Sequence, residues 1–552
     1  MRGLIERASA LWTLPALAVA LALAVPLVAI LATLLTPAGA TTAHLQATVL
    51  PDYILNSVLL MLLTGALALL FGTATAWLTA ACTFPGARWL SGLLVLPLAA
   101  PAYVVAYAYT DLLEVSGPLQ TALRGLLDVT PAEFRLPSIR NIPGAATLLA
   151  LVLYPYVYLL TRTSFAARSR AHFEAARVLG LSAWQAFWRV GLPGARPAIA
   201  GGVALVMMET LADFGVVEYF SVPTFSTGIY RTWIGLGDKA AALRLAAIML
   251  LFVIALVMLE SVSRRGGIDR DDVSRAQAIE LRGWRAVAAF VICAVPVTLG
   301  FIIPVALLTV YTLGAGDTVL MRGFGQYVSN SVTVASAAAV LAVALAVLLS
   351  YAQRLHTSRV NSGFVRIATL GYALPGLLLA VALLEPVNRF DQWLSGLGSG
   401  GGSVLAGTVF VLIYAYLCRF LTVAFQSTSA GLARVSPDLD AAARSLGATP
   451  GGVIRRVHLP LLAPSLAAGL LLVFVDVMRE LPATLLLRPF NFDTLATRVY
   501  RLASDERLQE ASPAALAIVL VGVIPVLIIN WTAARRDRRR SNDVTTEVPQ
   551  HG

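Results

Sequence analysis

The sequence predicts an all-α polytopic membrane protein, with about 12 transmembrane helices arranged as two parallel six-helix repeats. Three observations lead there: an apolar composition, a regular series of long apolar runs, and a duplication inside the chain. Of the 552 residues, 58% are hydrophobic and 13% charged, and the mean hydropathy is +0.78. A soluble domain of ordinary composition is excluded.

Runs of roughly 20 apolar residues can cross ~30 Å of hydrocarbon as helices, which satisfy their own backbone there. They fall near 11–36, 53–82, 89–112, 144–161, 198–222, 241–262, 286–313, 328–352, 367–386, 403–424, 463–487 and 512–533. The first is followed by "PAGA" (Pro37 to Ala40), a small-residue pattern of the kind cleaved after secretory signals. Its apolar length of about 25 exceeds the ~7–15 of a signal core, so it is read as a span.

Arginine placement sets the expected orientation. Arg2 and Arg7 precede the first span, six arginines lie in 162–196, six in 264–285 and five in 535–540. These segments share one side of a twelve-span chain, and basic residues near helix ends stay in the cytoplasm. Both termini are therefore expected in the cytoplasm. The net charge of +11 is this topology signal; its partner is the lipid bilayer, and no nucleic acid is needed to explain it. Cys82, Cys293 and Cys418 lie in or beside spans without CxxC spacing and read as packing residues. The five histidines are scattered, so neighbours in sequence build no metal site.

The duplication decides the architecture. Tyr53, Asn56, Ser57 and Pro101 match Tyr327, Asn330, Ser331 and Pro375 at a spacing of 330 − 56 = 274. Further on the spacing becomes 447 − 180 = 267. There Ala175, Ala176, Arg177, Leu179, Gly180, Arg189, Leu192, Pro193 and Pro197 fall on Ala442, Ala443, Arg444, Leu446, Gly447, Arg456, Leu459, Pro460 and Pro464. The same register extends to Phe225, Thr227 and Arg231 on Phe492, Thr494 and Arg498. Six spans per copy is an even number, so both copies enter the membrane in the same direction. The expected division is a first repeat over 1–262, a basic linker over 263–285 and a second repeat over 286–552, with a pathway where the repeats meet.

Each copy keeps a polar, helix-forming hairpin between its fourth and fifth spans, at 168–197 and 435–464. In the first, good helix formers run to Leu179 and Gly180 stands where a C-cap falls. Ser182 and Gln185 then form an S-x-x-Q capping box for a second short helix, which Pro193 is expected to end. In the second, Gly447 stops the helix, Thr449 caps the next and Pro450 takes its first position. Trp184, Phe187 and Trp188 in one copy and Val453, Ile454 and Val457 in the other are expected on an outer apolar face, suited to a partner.

These hairpins, "EAARVLGLSAWQAFWRVGLP" and "AAARSLGATPGGVIRRVHLP", resemble the EAA motif of permease subunits of binding-protein-dependent ABC importers. The resemblance implies that Glu174, Ala175, Ala176, Gly180, Trp184, Phe187 and Pro193, with Ala442, Ala443, Gly447, Val453, Ile454 and Pro460, make up two coupling elements. Each would dock into a cleft of a cytoplasmic ATPase. The second copy departs from the pattern, with Ala441 at the glutamate position and Asp440 one residue earlier. No G-x-x-x-x-G-K-[S/T] loop is present, so the chain is expected to bind no cofactor of its own and to use ATP through two copies of a separate subunit.

Acids inside the membrane cost ~2.5–3.5 kcal/mol each on insertion scales and invite a functional reading. Glu209 and Asp213 in the fifth span match Asp476 and Glu480 in the eleventh, and their i, i+4 spacing is expected to put each pair on one helix face. Such acids could line a cation pathway, or be held structurally by Arg479. Tyr103, Tyr107, Tyr154 and Tyr158 read as anchoring or packing residues. The stretches Glu209 to Trp233 and Met478 to Tyr500 look like those of fused two-half iron(III) importer permeases. That likeness implies a periplasmic ferric-binding protein, a bacterial inner membrane location and alternating access. Polyamine, thiamine and sulfate permeases share the scaffold. A secondary transporter also has two parallel six-helix halves, and leaves the repeated hairpin unexplained.

Overall fold

A computed structural model of the chain describes the backbone of residues 13–35, 37, 39–182, 185, 187–264, 279–314, 323–355, 358–396 and 405–546. Side chains are described for these except in 166–178, 261–264, 373, 450 and 529–546. Ten of the described helices are long and apolar enough to cross a membrane, and two bent pairs bring the number to twelve. In chain order the spans are Thr13–Thr33, Leu50–Ala81, the bent pair Ala87–Ala99 with Ala102–Leu127, Ile142–Phe165, Phe187–Ala212 and Lys239–Glu260. The second set is Trp284–Gly314, Phe324–Leu355, the bent pair Arg359–Tyr372 with Gly376–Gly396, Val409–Leu432, Gly451–Met478 and Leu508–Ile528.

The third and ninth spans depart from the straight helices expected at 89–112 and 367–386. They bend by 91° and 114°. The cause is a proline at the matching position of each repeat, in Ala100-Pro101 and Leu374-Pro375. The proline ring pushes the preceding residue out of the helical region, and Ala100 and Leu374 sit at ψ 122 and 127. A short 3₁₀ turn precedes each break, Leu96–Ala99 and Leu370–Ala373.

The packing repeats as the sequence does. The second span lies along the fourth, and the eighth along the tenth. The leading span of each repeat crosses to the other: the first packs on the eighth and ninth, the seventh on the second and third. Likewise the sixth touches the ninth, and the twelfth touches the third. Each relation occurs once in each direction, as a pseudo-twofold axis demands. Close approach depends on small residues, as between membrane helices generally. A Cβ on Gly72 of the second span would come within 2.6 Å of Val157, and one on Gly202 of the fifth within 2.7 Å of the same residue.

Strand structure among the described residues is one parallel pair, Cys82–Thr83 with Ile279–Glu280, which ties the end of the linker region to the end of the second span. The three cysteines are buried and unbonded.

The repeat register needs one correction. Asn56 Nδ2 donates to the Pro223 carbonyl (3.0 Å) and Asn330 Nδ2 to that of Asp493 (2.9 Å). Ser57 Oγ accepts from Phe225 N–H, and Ser331 Oγ from Leu495 N–H. Thr224 with Thr227 and Thr494 with Thr497 form matching capping boxes. The asparagines and serines keep the spacing of 274, but their partners and the capping boxes are related by 270 residues (494 − 224), not 267. Three residues are inserted in the second copy between Thr484 and Asn491, and Phe490 on that insertion is 95% exposed. The insertion is masked in the sequence because Thr and Arg recur three residues apart, at Thr494 and Thr497 and at Arg498 and Arg501.

Candidate functional site: two turns and a central cavity

The two hairpins close on glycines in the left-handed region, Gly180 at φ +87 and Gly447 at φ +84. That conformation strains any residue with a Cβ. The expected caps are present. Gln185 Oε1 accepts from Ser182 N–H (2.9 Å) while Ser182 Oγ accepts from Gln185 N–H (3.2 Å). In the second copy Thr449 Oγ1 accepts from Gly452 N–H (3.2 Å) ahead of a turn that begins at Pro450.

Pro193 does not end the second short helix. It occupies the first turn of Leu192–Ala212, as Pro460 does in Leu459–Met478, where no intrahelical N–H is needed. A π turn joins each hairpin to its span, Phe187–Gly191 and Ile454–His458. The helical segments Phe187–Ala212 and Gly451–Met478 therefore run unbroken for 26 and 28 residues, about 40 Å each at helical rise.

The expected outer face is also revised. Phe187 is turned inward, 4.7 Å between ring centroids from Trp77 and 6.3 Å from Phe165. Val453 is 1% exposed, and Ile454 and Val457 are half-buried. Among the described residues of that set only Trp188 is exposed. The most exposed large apolar groups among the described hairpin residues are Leu179 and Leu446, at 84% and 89%, each directly before its glycine. The repeat aligns the two leucines, and the signal in each copy is an apolar residue at a helix C-terminus directly before the glycine. Ala442 is exposed and Ala443 half-buried. Glu174, Ala175 and Ala176 lie in the helix Ile142–Val178 with side chains outside those described, and Trp184 lies outside the described residues.

At the other end of the fifth and eleventh spans a cavity of about 150 Å³ opens between the two repeats. All four candidate acids, Glu209, Asp213, Asp476 and Glu480, line it. They do not form two same-face helical pairs. The fifth span stops at Ala212 and leaves Asp213 extended (ψ 136), and the eleventh stops at Met478.

Beyond the break, Asp213 and Glu480 serve as N-terminal caps. Asp213 Oδ2 accepts from Val216 and Val217 N–H (3.0 and 3.2 Å) at the short helix Gly215–Tyr219. The Glu480 carboxylate accepts from Ala483 and Thr484 N–H (both 3.0 Å) at the helix Pro482–Leu487. A negative group at a helix N-terminus satisfies free N–H groups and meets the positive end of the dipole. Glu480 also accepts from Thr484 Oγ1 (2.7 Å) and Arg419 Nη1 (3.2 Å). Gly376 makes room for that pair, since a Cβ there would lie 2.4 Å from Arg419.

Asp476 is paired with Arg479 (2.5 Å), whose other amine donates to the Leu98 carbonyl (2.7 Å) across the repeat interface. Among the described residues Glu209 alone of the four has neither hydrogen bond nor ion pair, although the charges of Arg419 and Arg479 reach it. Tyr107, Tyr154 and Tyr158 are core residues, as expected. Tyr103 instead lines the cavity, with Tyr156 and Tyr372, and its buried hydroxyl has no partner. Arg419, Tyr156 and Tyr372 were not singled out from sequence; each is ordinary in its local run and becomes notable only by convergence.

A basic, mostly apolar chain with duplicated hairpins and an inter-repeat cavity is a transport permease by architecture. The chain belongs to the family described as binding-protein-dependent transport system inner membrane component, which it matches twice, over residues 72–265 and 351–542. It is a multi-pass membrane protein and the permease of an ABC importer. It is 27% identical to the Fe(3+)-transport system permease protein FbpB 2 of Haemophilus influenzae, over 86% of this chain and 88% of that one. A putative ferric transport system permease protein of the same organism, FbpB 1, is 24% identical over 81% of this chain and 71% of its own. The sulfate transport system permease protein CysW of Escherichia coli is 31% identical, over 36% of this chain and 69% of its own.

Proposed function

We propose that the chain forms the whole membrane pathway of an importer for iron(III), delivered by a periplasmic ferric-binding protein and driven by two copies of a separate cytoplasmic ATPase. The observation that carries the iron assignment is the full-length likeness to Fe(3+) permeases through both repeats. The sulfate and putative 2-aminoethylphosphonate permeases match about one third of the chain. The cavity chemistry agrees. Its two arginines are engaged by Asp476 and Glu480, leaving a free Glu209 carboxylate and phenolic oxygens, hard donors of the kind a hard cation prefers. No cluster of three or more His, Cys, Asp or Glu able to hold a metal occurs among the described residues, which suits a site that must release its cargo.

In this reading both turns and both termini face the cytoplasm, in a bacterial inner membrane. Closure of the ATPase pair displaces Leu179 and Leu446. Each displacement passes through a π turn into one continuous helix and arrives at the cavity wall, where Asp213 and Glu480 fix the next short helix to its end. The two walls belong to different repeats, so moving both opens the pathway on one side and closes it on the other. Cargo passes Glu209 at the middle of this movement. ATP-dependent uptake of radioactive iron(III) into vesicles holding the chain, the ATPase and the loaded binding protein tests the assignment. Uptake that sulfate or 2-aminoethylphosphonate replaces, with iron ignored, would refute it.

A further inference from the structure

Where the first hairpin has Glu174, the second has Ala441, with Asp440 one residue earlier. A shift of one residue turns a helical side chain by about 100°. Ala441 is exposed, and Asp440 is 5% exposed. The Asp440 carboxylate faces into the bundle, where Oδ2 accepts from Arg354 Nε (2.7 Å) and Oδ1 from His458 Nε2 (2.7 Å). Arg354, at the end of the eighth span, also donates to the carbonyls of Leu432, the last residue of the tenth span, and Val435, three residues beyond it (2.8 and 3.0 Å). His458 ends the π turn into the eleventh span and stacks edge-on to Tyr351, 5.4 Å away. Three spans and the hairpin thus meet at one buried carboxylate. Burial works to raise the Asp440 carboxyl, and the bonds from His458 and Arg354 outweigh it, holding it below the usual carboxylate range.

The sequence of the first repeat does not repeat this trio. At the matching positions stand Phe173, Ala80 and Gly191 (440 − 267, 354 − 274 and 458 − 267), and Trp77 takes the place of Tyr351. Among the described residues there, Trp77 packs against Phe165 and Phe187.

We propose that Asp440 is a positioning residue, an internal ionic anchor tying the second hairpin to the eighth and eleventh spans through Arg354 and His458, and no substitute for the outward acid of the first copy. The second hairpin therefore meets the ATPase without an acid at that register. This rests on reading the hairpins as ATPase contacts.

The assembled importer in vesicles, supplied with iron(III)-loaded binding protein, gives two readouts: uptake, and ATP hydrolysed per ion. Asp440→Ala is expected to cut uptake roughly tenfold while hydrolysis continues, within the range by which coupling elements act. The double variant Asp440→Ala with Ala441→Glu places an acid at the Glu174 register and is expected to remain as impaired. Recovery in the double variant would show that the acid belongs at the docking surface and overturn the proposal, as would unchanged uptake and stoichiometry in Asp440→Ala. Should Asp440→Ala fail to accumulate, Asp440→Asn and His458→Gln carry the test, since the first keeps the shape of the carboxylate without its charge and the second exchanges the imidazole for an amide. A loss of coupling of roughly two- to fivefold is expected from each, and no change in either contradicts the anchor. Failure of the underlying reading has a different signature: the unaltered chain would not retain the ATPase, or would import without it.

Discussion

The two repeats hold the same hairpin in the same place with different chemistry. The first packs Phe187 against Trp77 and Phe165; the second clamps Asp440 between Arg354 and His458. The glycine turn itself is shared to within a few degrees of φ. What is common to both copies is the backbone that presents Leu179 and Leu446, and what differs is the cement behind it. Duplication thus preserved the turn and left its attachment free to diverge.

The comparison can be broken most severely at the aromatic anchor. Phe187→Ala removes a buried ring, at a cost of about 3–5 kcal/mol, whereas Ile454→Ala at the matching, half-buried position costs less, about 2 kcal/mol. Thermal unfolding in detergent should show the first variant clearly below the second; equal losses would mean the hairpins are held alike. Next come the turns. Gly180→Val and Gly447→Val each force a β-branched residue to positive φ, a strain of about 1–3 kcal/mol, and both are expected to let ATP hydrolysis run with reduced uptake. Transport at the normal rate in both would contradict the shared role of the turns.

In the cavity the asymmetry sharpens. Glu209→Gln is expected to lower uptake of a trivalent cation without loss of protein, because Glu209 has no partner to strand. Asp476→Asn unpairs Arg479, so protein abundance is expected to fall with uptake. If Glu209→Gln transports normally, that carboxylate returns to a structural role. The smallest effect is expected at the inserted loop, where Phe490→Ser should change stability by no more than about 0.5 kcal/mol; a larger shift in unfolding temperature would mean that the insertion is packed.

The sequence made the local features readable. Span lengths, the left-handed glycines and both cap chemistries depend on residues a few positions apart, and periodicity and propensity reach that far. The bends at Pro101 and Pro375 were open to the same reasoning, since both prolines had been matched, yet a proline inside an apolar run does not announce whether it kinks a span or divides it. Farther features were beyond reach. Arg354 meets Asp440 across 86 residues, and Arg419 meets Glu480 across 61. Phe187 was assigned to the wrong side because amphipathicity shows that a short helix has an apolar face, not whether the core or a partner covers it. The i, i+4 reading of the acids failed at the helix ends, where Asp213 and Glu480 leave the ladder to cap the next turn.

The account is tested most directly by cysteine crosslinking in membranes that carry the importer with its ATPase. Leu179→Cys and Leu446→Cys should both form crosslinks to the ATPase subunit, with yields that change when nucleotide is bound. A crosslink from neither position, or labelling of either only from outside the cell, would contradict it.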